Sequence, residues 1–387
     1  MVDTITHGLI GAFVSRLGFR QKHGKIAAAV MVLSAILPDF DMILNFWGDE
    51  ITYKNHRGFT HSIFGAIVIS LILALIFYFF SSYKRFLHLF LFSILGITSH
   101  IILDLLNSYG TQILNPLSNY RYGIGAIFIL DFFITIITVL SLIFTKSERI
   151  DDFLFQVKTG FVCLFLSAFF FIIFLYLANE QGIGFDLSFK SFFNYLSKVF
   201  LIGFFFSLAV AIISHFSTAH KRDTSLIPRI GLVTIVIYVL LCLFNQRIAT
   251  NYLRGEIIKR GENIVSISAL AMPVSPFAWM GVAKTKGGNY YQCFFHFFNN
   301  SNPGLKLFRN SKGNRFIYMA DNLETVKLFK WFARFPIVYY SEKNRKHIVE
   351  YFDLRYYMFP PRKGFSVRAI YDNKGNLISV KWLEGRR

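Results

Sequence analysis

The sequence predicts a mainly α-helical fold, in which a polytopic membrane bundle is followed by a small β-rich (α+β) soluble C-terminal domain. Hydrophobic residues make up 54% of the 387 residues, and the mean hydropathy is +0.47. A soluble domain usually holds about 45–50% apolar residues. The excess lies in uncharged runs such as 62–80, 159–178 and 199–215. Each run is close to the about 20 residues that cross about 30 Å of hydrocarbon, so we expect a membrane protein.

Eight membrane-associated helices are predicted from the apolar runs. They cover Ile5–Phe19, Lys25–Leu37, Thr60–Phe80, Phe86–Asn107, Ile124–Thr145, Val157–Ala178, Lys198–Phe216 and Arg229–Phe244. The first two are only about 20 Å long at 1.5 Å per residue. Half-inserted hairpin helices are therefore an alternative to full spans for these two.

A change of character after Asn245 predicts two domains: residues 1–245 as the helical membrane domain that carries the polar site, and residues 246–387 as a basic, β-rich soluble domain. In the second domain, residues 275–297 indicate two strands joined through residues 286–289, and residues 365–383 indicate a second hairpin that turns at residues 372–376. Leu323–Phe335 has helical periodicity.

Basic residues in short loops predict the orientation in the membrane, because the side richer in Lys and Arg usually faces the cytoplasm. The richer side carries Arg20, Lys22, Lys25, Lys84, Arg85, Lys146, Arg149, Lys158, Lys221, Arg222 and Arg229. The other side carries Lys54, Arg57, Arg121, Lys190 and Lys198. We therefore expect both termini, the polar loops and the C-terminal domain on the outer side.

The C-terminal domain is strongly basic. It holds 24 Lys and Arg against 9 Asp and Glu, and so 15 of the 19 net positive charges. Besides the lipid bilayer itself, anionic lipid headgroups or anionic substrates are the predicted partners of such a surface. A merely solvated basic surface is the alternative. Nucleic acid is not an expected partner, because no recognition motif accompanies the charge.

Ionisable residues group at the predicted outer ends of five helices. Such residues are costly near a membrane and usually face a protein interior or a wet cavity. The predicted metal ligands are His7, Asp39, His56, His61, His100 and Asp104. Imidazole with carboxylate favours zinc as the divalent metal, with manganese as an alternative. His100 and Asp104, four residues apart on one helical face, can reach the same ion. Two or three metals about 3.5–4 Å apart would polarise a phosphoryl group and activate water.

The neighbouring polar residues suggest further roles. Asp41 is the predicted catalytic base for the attacking water, with a turn-capping role as the alternative. Arg57 is the predicted catalytic clamp on a phosphate, because a guanidinium matches phosphate bidentately. Arg121 and Asp131 are predicted to bind substrate, although Asp131 could instead be a buried structural partner of Arg121. His88 is predicted to be a satisfied or interfacial histidine.

These motifs resemble the YdjM family, which are regarded as metal-dependent hydrolases of the bacterial inner membrane. The matching pieces are DTITHGLIGA, LPDFD, HRGFTHS and HIILDLLNSYGTQILNPLSNYRY, with Asp131 following at the right distance. The similarity is strong over the first 135 residues, and looser through SPFAWMGV and DLRYYMFPP. It implies an inner-membrane hydrolase whose His/Asp set binds metal. The order of motifs is also distantly similar to zinc-dependent phospholipase C, which favours phosphoester substrates.

The residues and the resemblance together predict a metal-dependent, phosphoesterase-like hydrolase. It would act at the outer membrane face on a phosphoester-bearing lipid or envelope molecule. The alternative is a non-catalytic protein, either a metal-binding membrane scaffold or a transporter that uses the polar cluster as an ion path. A transporter would be expected to place polar residues near the midplane, with broken helices or repeated halves. The predicted cluster lies toward one face.

Overall fold

The computed structural model describes residues 4–145, 225–272, 276–297, 304–357 and 365–383. Their α-helices are α1 (Thr4–Ser15), α2 (Phe19–His23), α3 (Lys25–Ile36), α4 (Asp49–Asn55), α5 (Ile63–Phe80), α6 (Phe86–Leu106), α7 (Phe132–Phe144), α8 (Leu226–Ile258), α9 (Arg315–Asp321) and α10 (Glu324–Phe332). The predicted helices at 157–178 and 198–216 lie outside the described residues.

Four helical segments of the described residues are long and apolar enough to cross a membrane. They are Lys25–Trp47, Ile63–Phe80, Phe86–Leu106 and Leu226–Ile258. The first combines α3 with the 3₁₀ segment Leu37–Trp47, while α1 has only 12 residues. The predicted helical membrane fold is confirmed.

Close packing of α3 against α1 and α6 holds the N-terminal helices together. A Cβ added at Gly11 of α1 or at Gly96 of α6 would lie 2.6 Å from the backbone oxygen of Met31 in α3. Small residues of this kind let helix backbones approach closely in membrane proteins. The ends of α3 and α6 are consequently brought side by side.

The predicted helix from Ile124 to Thr145 begins later, because α7 starts at Phe132. Before that, the chain is extended along the C-terminal end of α6. The N–H groups of Ile124 and Ala126 donate to the carbonyls of Leu105 and Leu106, which a helix end leaves without intrahelical partners. An apolar segment therefore satisfies its backbone without being helical.

The start of α5 also differs from the prediction. The helix begins at Ile63 rather than Thr60, because Ser62 caps it by accepting a hydrogen bond from the N–H of Gly65. Residues Phe59–His61 form a short 3₁₀ turn. This turn separates His61 from the membrane helix and aims it toward the site.

The last membrane helix, α8, runs on to Ile258 rather than ending at Phe244. Beyond the apolar stretch, Ala249, Leu253 and Ile257 are buried in a cluster shared with the first β-sheet. Packing against that sheet stabilises the helix where hydropathy no longer indicates it. The predicted domain boundary after residue 245 falls within this helix.

The C-terminal region contains two four-stranded antiparallel sheets with strand orders β1-β2-β3-β4 and β5-β6-β7-β8. The strands are β1 (Ile264–Ala271), β2 (Ala278–Thr285), β3 (Asn289–His296), β4 (Lys306–Arg309), β5 (Pro336–Lys343), β6 (Lys346–Asp353), β7 (Ser366–Tyr371) and β8 (Leu377–Leu383). Both predicted hairpins are confirmed as β2–β3 and β7–β8. Helix α10 lies within the predicted helical segment 323–335, so the α+β character of this region is also confirmed.

Candidate metal centre

Four of the predicted ligands come together where the ends of α3 and α6 meet the start of α5. Asp39 lies in the 3₁₀ segment after α3, His61 lies in the turn before α5, and His100 and Asp104 lie in the last turns of α6. All four side chains are buried, and one potential ligand atom from each lies within 4.8 Å of the others. This group could hold a metal ion.

The distances within the group fit a small tetrahedral site. The Nε2 atoms of His61 and His100 are 3.0 Å apart. Asp104 Oδ2 lies 3.3 Å from each Nε2 atom, and Asp39 Oδ1 lies 3.6 Å from each. Bonds of about 2.0–2.2 Å to a tetrahedral zinc ion would place ligand atoms about 3.3–3.6 Å apart. The four distances between a histidine nitrogen and a carboxylate oxygen fall in this range, and the distance between the two Nε2 atoms is slightly shorter.

The hydrogen bonds of the two imidazoles direct their lone pairs at each other. His100 Nδ1 lies 2.7 Å from the backbone oxygen of Ala35, which can only accept, so Nδ1 carries the proton. His61 Nδ1 lies 2.9 Å from the Thr60 hydroxyl, whose own proton goes to Asp41 Oδ2 at 2.8 Å, so this Nδ1 is also the donor. Neutral imidazole donates from one nitrogen and accepts at the other. When both rings are neutral, the two Nε2 lone pairs therefore face each other across 3.0 Å.

A cation would remove the repulsion between these lone pairs. Asp104 gives a second indication of a bound cation, because its Oδ2 is buried and has no hydrogen-bond partner among the described residues. Buried polar atoms without partners are uncommon, and each calls for an explanation such as an ion. The donor set, its spacing and the unpaired oxygen all fit a divalent metal.

Asp41 lies behind His61 and is fully engaged by its neighbours. Its Oδ1 lies 2.7 Å from His56 Nδ1, and its Oδ2 accepts hydrogen bonds from the Arg57 N–H at 3.1 Å and from the Thr60 hydroxyl. Burial lowers the pKa of His56, although Asp41 opposes this effect. A carboxylate behind a ligating histidine fixes the orientation and tautomer of the ring. His56 is not a member of the four-residue group, although its ring lies edge to face with that of His61, with centroids 5.9 Å apart.

Arg57 connects the cluster to the loop after α6. Its Nη2 lies 2.7 Å from Asp104 Oδ1, and its Nη1 donates to Asn107 Oδ1 at 2.9 Å. The guanidinium also lies over the ring of Tyr109, 4.8 Å from its centroid. Arg57 has a left-handed backbone, with φ of 58°, a conformation that costs a non-glycine residue energy and that tends to occur at functional sites.

His7 approaches the cluster from α1. Its ring stacks on His100 with centroids 3.7 Å apart, and its Nε2 lies 3.6 Å from Asp104 Oδ1. His7 and Arg57 share one property with Asp104: within the described part of the chain, His7 Nδ1 and Arg57 Nε are buried without hydrogen-bond partners. All three residues line one small pocket. The rest of its wall is formed by Thr6, Leu103, Asn107, Ile127, Phe128, Ile129, Asp131 and Ile134.

The two predicted substrate-binding residues have structural contacts. Arg121 donates to the backbone oxygens of Gly110, Tyr53 and His56, and burial lowers its pKa to about 10. Asp131 caps α7 and also accepts the Tyr238 hydroxyl at 2.7 Å, while it lines the edge of the pocket. Their part in substrate binding stays a prediction.

Sequence reasoning missed Thr60 and Asn107. Thr60 joins His61 to Asp41, and Asn107 joins Arg57 to the backbone of Tyr109. Both lie inside motifs that the sequence analysis singled out, HRGFTHS and LLNSYGT. A short polar residue beside a candidate ligand was the available signal, but its partner depends on the fold.

Comparison with known proteins confirms the resemblance for the N-terminal part of the chain. Residues 1–183 match the family model described as YdjM inner membrane protein. The Bacillus subtilis (strain 168) protein named "Uncharacterized protein YfhP" is 34% identical over 142 residues. That alignment covers 35% of this chain and 43% of the relative, so the chain spans less than half the length of the curated relative it matches. No solved structure matches the chain.

Proposed function

We propose, from the match of residues 1–183 to the YdjM inner membrane protein family, that this membrane protein is a metal-dependent hydrolase of phosphoester-bearing lipid or envelope molecules. The observation that carries the proposal is that the candidate metal-binding group and a pocket lie side by side. The buried Asp/His/His/Asp group lies beside a pocket lined by His7, Arg57 and Asp104, and each of these residues has a buried polar atom without a hydrogen-bond partner among the described residues. A metal-binding group next to a pocket with polar side chains is an arrangement typical of metal-dependent hydrolases.

Asp39, His61, His100 and Asp104 would hold the ion, which we propose to be zinc, with manganese as the alternative. With a further coordination position open to water or substrate, the bound ion would polarise a phosphoryl oxygen and lower the pKa of water. Asp41 orients His61 for this purpose. Because both of its carboxylate oxygens are engaged, we assign Asp41 a positioning role rather than the role of base.

Arg57 would bind an anionic oxygen of the substrate. Its guanidinium already compensates Asp104 and is held by Asn107, so the group is fixed before a substrate arrives. The Nε–H remains for a further acceptor. Charge-assisted hydrogen bonds from arginine to phosphate are strong and directional.

His7 is the residue best placed to hold or transfer a proton. Its imidazole stacks on His100 and lines the pocket, and its buried Nδ1 atom has no hydrogen-bond partner among the described residues. Histidine is the side chain most often used for such transfers. We therefore propose proton transfer for His7 in place of the metal ligation predicted from the sequence.

An amphiphilic substrate is favoured by the composition of the pocket wall. Ile127, Phe128 and Ile129 line it together with Arg57 and Asp104. A lipid places a phosphoester between a polar headgroup and an apolar body, and so matches a lining of both kinds. The bilayer and its anionic headgroups are the proposed partners, with the site and the C-terminal region on the outer side of the bacterial inner membrane.

The position of the group favours an enzyme over a transporter. Asp39 follows α3, His61 precedes α5, and Asp104 lies in the last turn of α6. The donors therefore lie at one end of the helices. An ion path would be expected to place them near the midplane.

Metal analysis of the purified protein, followed by a screen of phosphoesters in mixed micelles, tests the proposal. We expect a bound divalent ion and hydrolysis that a chelator abolishes and added zinc or manganese restores. Protein without metal would remove the physical basis of the proposal. Protein with metal but without hydrolysis across phospholipid and soluble phosphoester classes would favour a non-catalytic metal-binding scaffold.

The orientation is tested separately with reporters fused after Arg387. We expect alkaline phosphatase activity, which requires the outer side, and no fluorescence from a reporter that folds only in the cytoplasm. The reverse pattern would move the site and the C-terminal region together to the inner side.

A further inference from the structure

We infer that Arg355, in the C-terminal region, is a positioning residue for the candidate metal centre. This inference rests on the proposed function, since it concerns the same site. It gives the C-terminal region a specific task, which is to hold the loop after α6 in the conformation that fixes Arg57 and Asp104. Arg355 touches neither the metal-binding group nor the pocket, and acts through the loop.

Arg355 joins the two parts of the chain by buried hydrogen bonds. Its Nη1 donates to the backbone oxygens of Ser108 at 2.8 Å and Tyr109 at 3.1 Å, and its Nη2 donates to the oxygen of Phe332 at 2.8 Å. Its Nε donates to Asp353 Oδ2 at 2.7 Å. Both members of this ion pair are almost completely buried, with relative exposures of 3% and 0%.

The loop held by Arg355 leads directly to the site. The N–H of Tyr109 donates to Asn107 Oδ1, and the same oxygen accepts from Arg57 Nη1. Arg57 then pairs with Asp104 Oδ1 at 2.7 Å, and the other oxygen of Asp104 faces His61 and His100. An unbroken series of hydrogen bonds therefore connects Arg355 to the metal-binding group.

The chemistry of arginine explains why this position needs it. Its planar guanidinium offers five N–H donors in fixed directions, whereas lysine offers a compact charge on a flexible stem. Four of the hydrogen bonds made by Arg355 point to two backbone segments and one carboxylate. Burial by itself would lower the pKa of Arg355, but the Asp353 carboxylate overcomes that effect and raises it. The group is a fixed cation in the folded protein.

The second member of the pair is held as firmly as the first. Asp353 also accepts the backbone N–H groups of Arg334 and Phe335, at 3.0 Å and 3.3 Å. These bonds tie Arg355 to the start of β5 and the end of β6, which are paired with each other in the second sheet. The loop after α6 is thus anchored, through Arg355, to the second sheet.

The test compares Arg355→Ala and Arg355→Lys with wild type. We expect Arg355→Ala to weaken zinc binding about 10-fold, the lower end of the range for residues that orient metal ligands. Arg355→Lys should recover only part of that loss, because it restores the charge without the directional hydrogen bonds. Zinc dissociation constants come from competition with a chromogenic chelator, using the full chain in detergent.

Two control variants separate positioning from stability. Arg368→Ala removes an arginine that pairs with Glu350 within the same sheet and should leave zinc binding unchanged. Val326→Ala, in the core below that sheet, should lower the melting temperature without weakening zinc binding. If Val326→Ala weakens zinc binding as much as Arg355→Ala does, or if Arg355→Ala binds zinc like wild type, the inference is wrong.

Hydrogen exchange of the backbone amides of residues 107–112 provides a readout that does not depend on metal. We expect faster exchange there in Arg355→Ala than in Arg368→Ala or wild type. Unchanged exchange would also overturn the inference. A wild-type protein that binds no zinc would instead reject the proposed function, while the exchange result would still decide whether Arg355 holds the loop.

Discussion

Helix α6 carries a histidine near each end, and the two histidines have opposite surroundings. His100, near the C-terminal end, is fully buried, and its Nε2 lies close to carboxylate oxygens of Asp39 and Asp104 and to the imidazole of His61. His88, near the N-terminal end, is half-buried, and its Nδ1 is hydrogen-bonded to the Tyr83 hydroxyl at 2.7 Å. The same hydroxyl lies 2.8 Å from His23 Nδ1. Both ends gather imidazoles, but within the described part of the chain only the first also gathers carboxylates.

The difference shows that carboxylates and burial, rather than histidines alone, make a candidate metal centre here. At the His88 end, slight burial, the neighbouring imidazole and the cations Lys22 and Arg85 lower the pKa of His23. Such cations also oppose the binding of a metal ion. At the His100 end, Asp39 and Asp104 supply the negative charge that an ion needs.

The largest effect is expected from removing the ligands at the His100 end. His61→Ala, His100→Ala and Asp104→Ala should each weaken metal binding by more than the about 10–100-fold that is typical of residues behind the ligands. Each variant removes one of the four donor atoms that the group offers to the ion. Metal content after gel filtration, measured by mass spectrometry, checks the prediction.

His88→Ala is the matched control on the same helix, and it should retain the metal content of wild type. Loss of metal from His88→Ala would show that any disturbance of α6 empties the site. Full metal content in all three ligand variants would leave interhelical hydrogen bonding as the better account of the cluster.

A smaller effect is expected from Asp41→Asn, which keeps the volume of the side chain. The carboxylate accepts from His56 at one oxygen, and from Thr60 and the Arg57 backbone at the other. An amide has only one oxygen that can accept, so asparagine would lose the hydrogen bonds at one of these two positions. We expect about 10-fold weaker metal binding, the scale reported for residues that orient a ligating histidine. Asp49→Asn, at an exposed carboxylate in α4, is the control and should bind metal like wild type. Equal metal binding by Asp41→Asn and wild type would contradict the positioning role.

The smallest effect is expected at Asp131, where the structure suggests helix capping. Asp131→Ala should lower stability by about 1 kcal/mol, whereas Asp131→Asn should lose much less, because asparagine is also a good N-cap. Neither variant should lose metal. Thermal unfolding monitored with a thiol-reactive dye, together with metal content, checks this. If Asp131→Asn stays stable but loses hydrolytic activity, the substrate-binding role predicted from the sequence gains support.

Much of the N-terminal bundle and its site could be predicted from the sequence. The i and i+4 spacing of His100 and Asp104 follows from helix geometry, and the motifs around Asp39 and His61 place them at helix ends. Helices α5 and α6 follow from hydropathy because their apolar runs are long, and the shorter α3 follows from its own apolar run. These features depend on residues that are neighbours in sequence.

The remaining features depend on contacts that no local pattern reports. The late start of α7 follows from backbone hydrogen bonds between Ile124 or Ala126 and the end of α6. The continuation of α8 follows from its packing on the first sheet. Arg355 reaches Tyr109 across more than half the chain, and nothing in the composition near either residue indicates that they meet.

The close approach of Gly11 and Gly96 to Met31 has a consequence for which ions the protein can accept. The Gly96 contact brings the backbones of α3 and α6 together, and the Gly11 contact does the same for α3 and α1. We therefore expect the width of the site at the ends of α3 and α6 to adjust little to a guest. Calcium prefers six to eight oxygen ligands at about 2.3–2.6 Å. A site of constant width with four donors would be too small for calcium and would offer it too few ligands. Gly96→Ala should relax that selection by forcing the helices apart, and competition between zinc and calcium in both proteins would measure the change. Equal selectivity in the two proteins would show that donor chemistry, rather than helix spacing, chooses the ion.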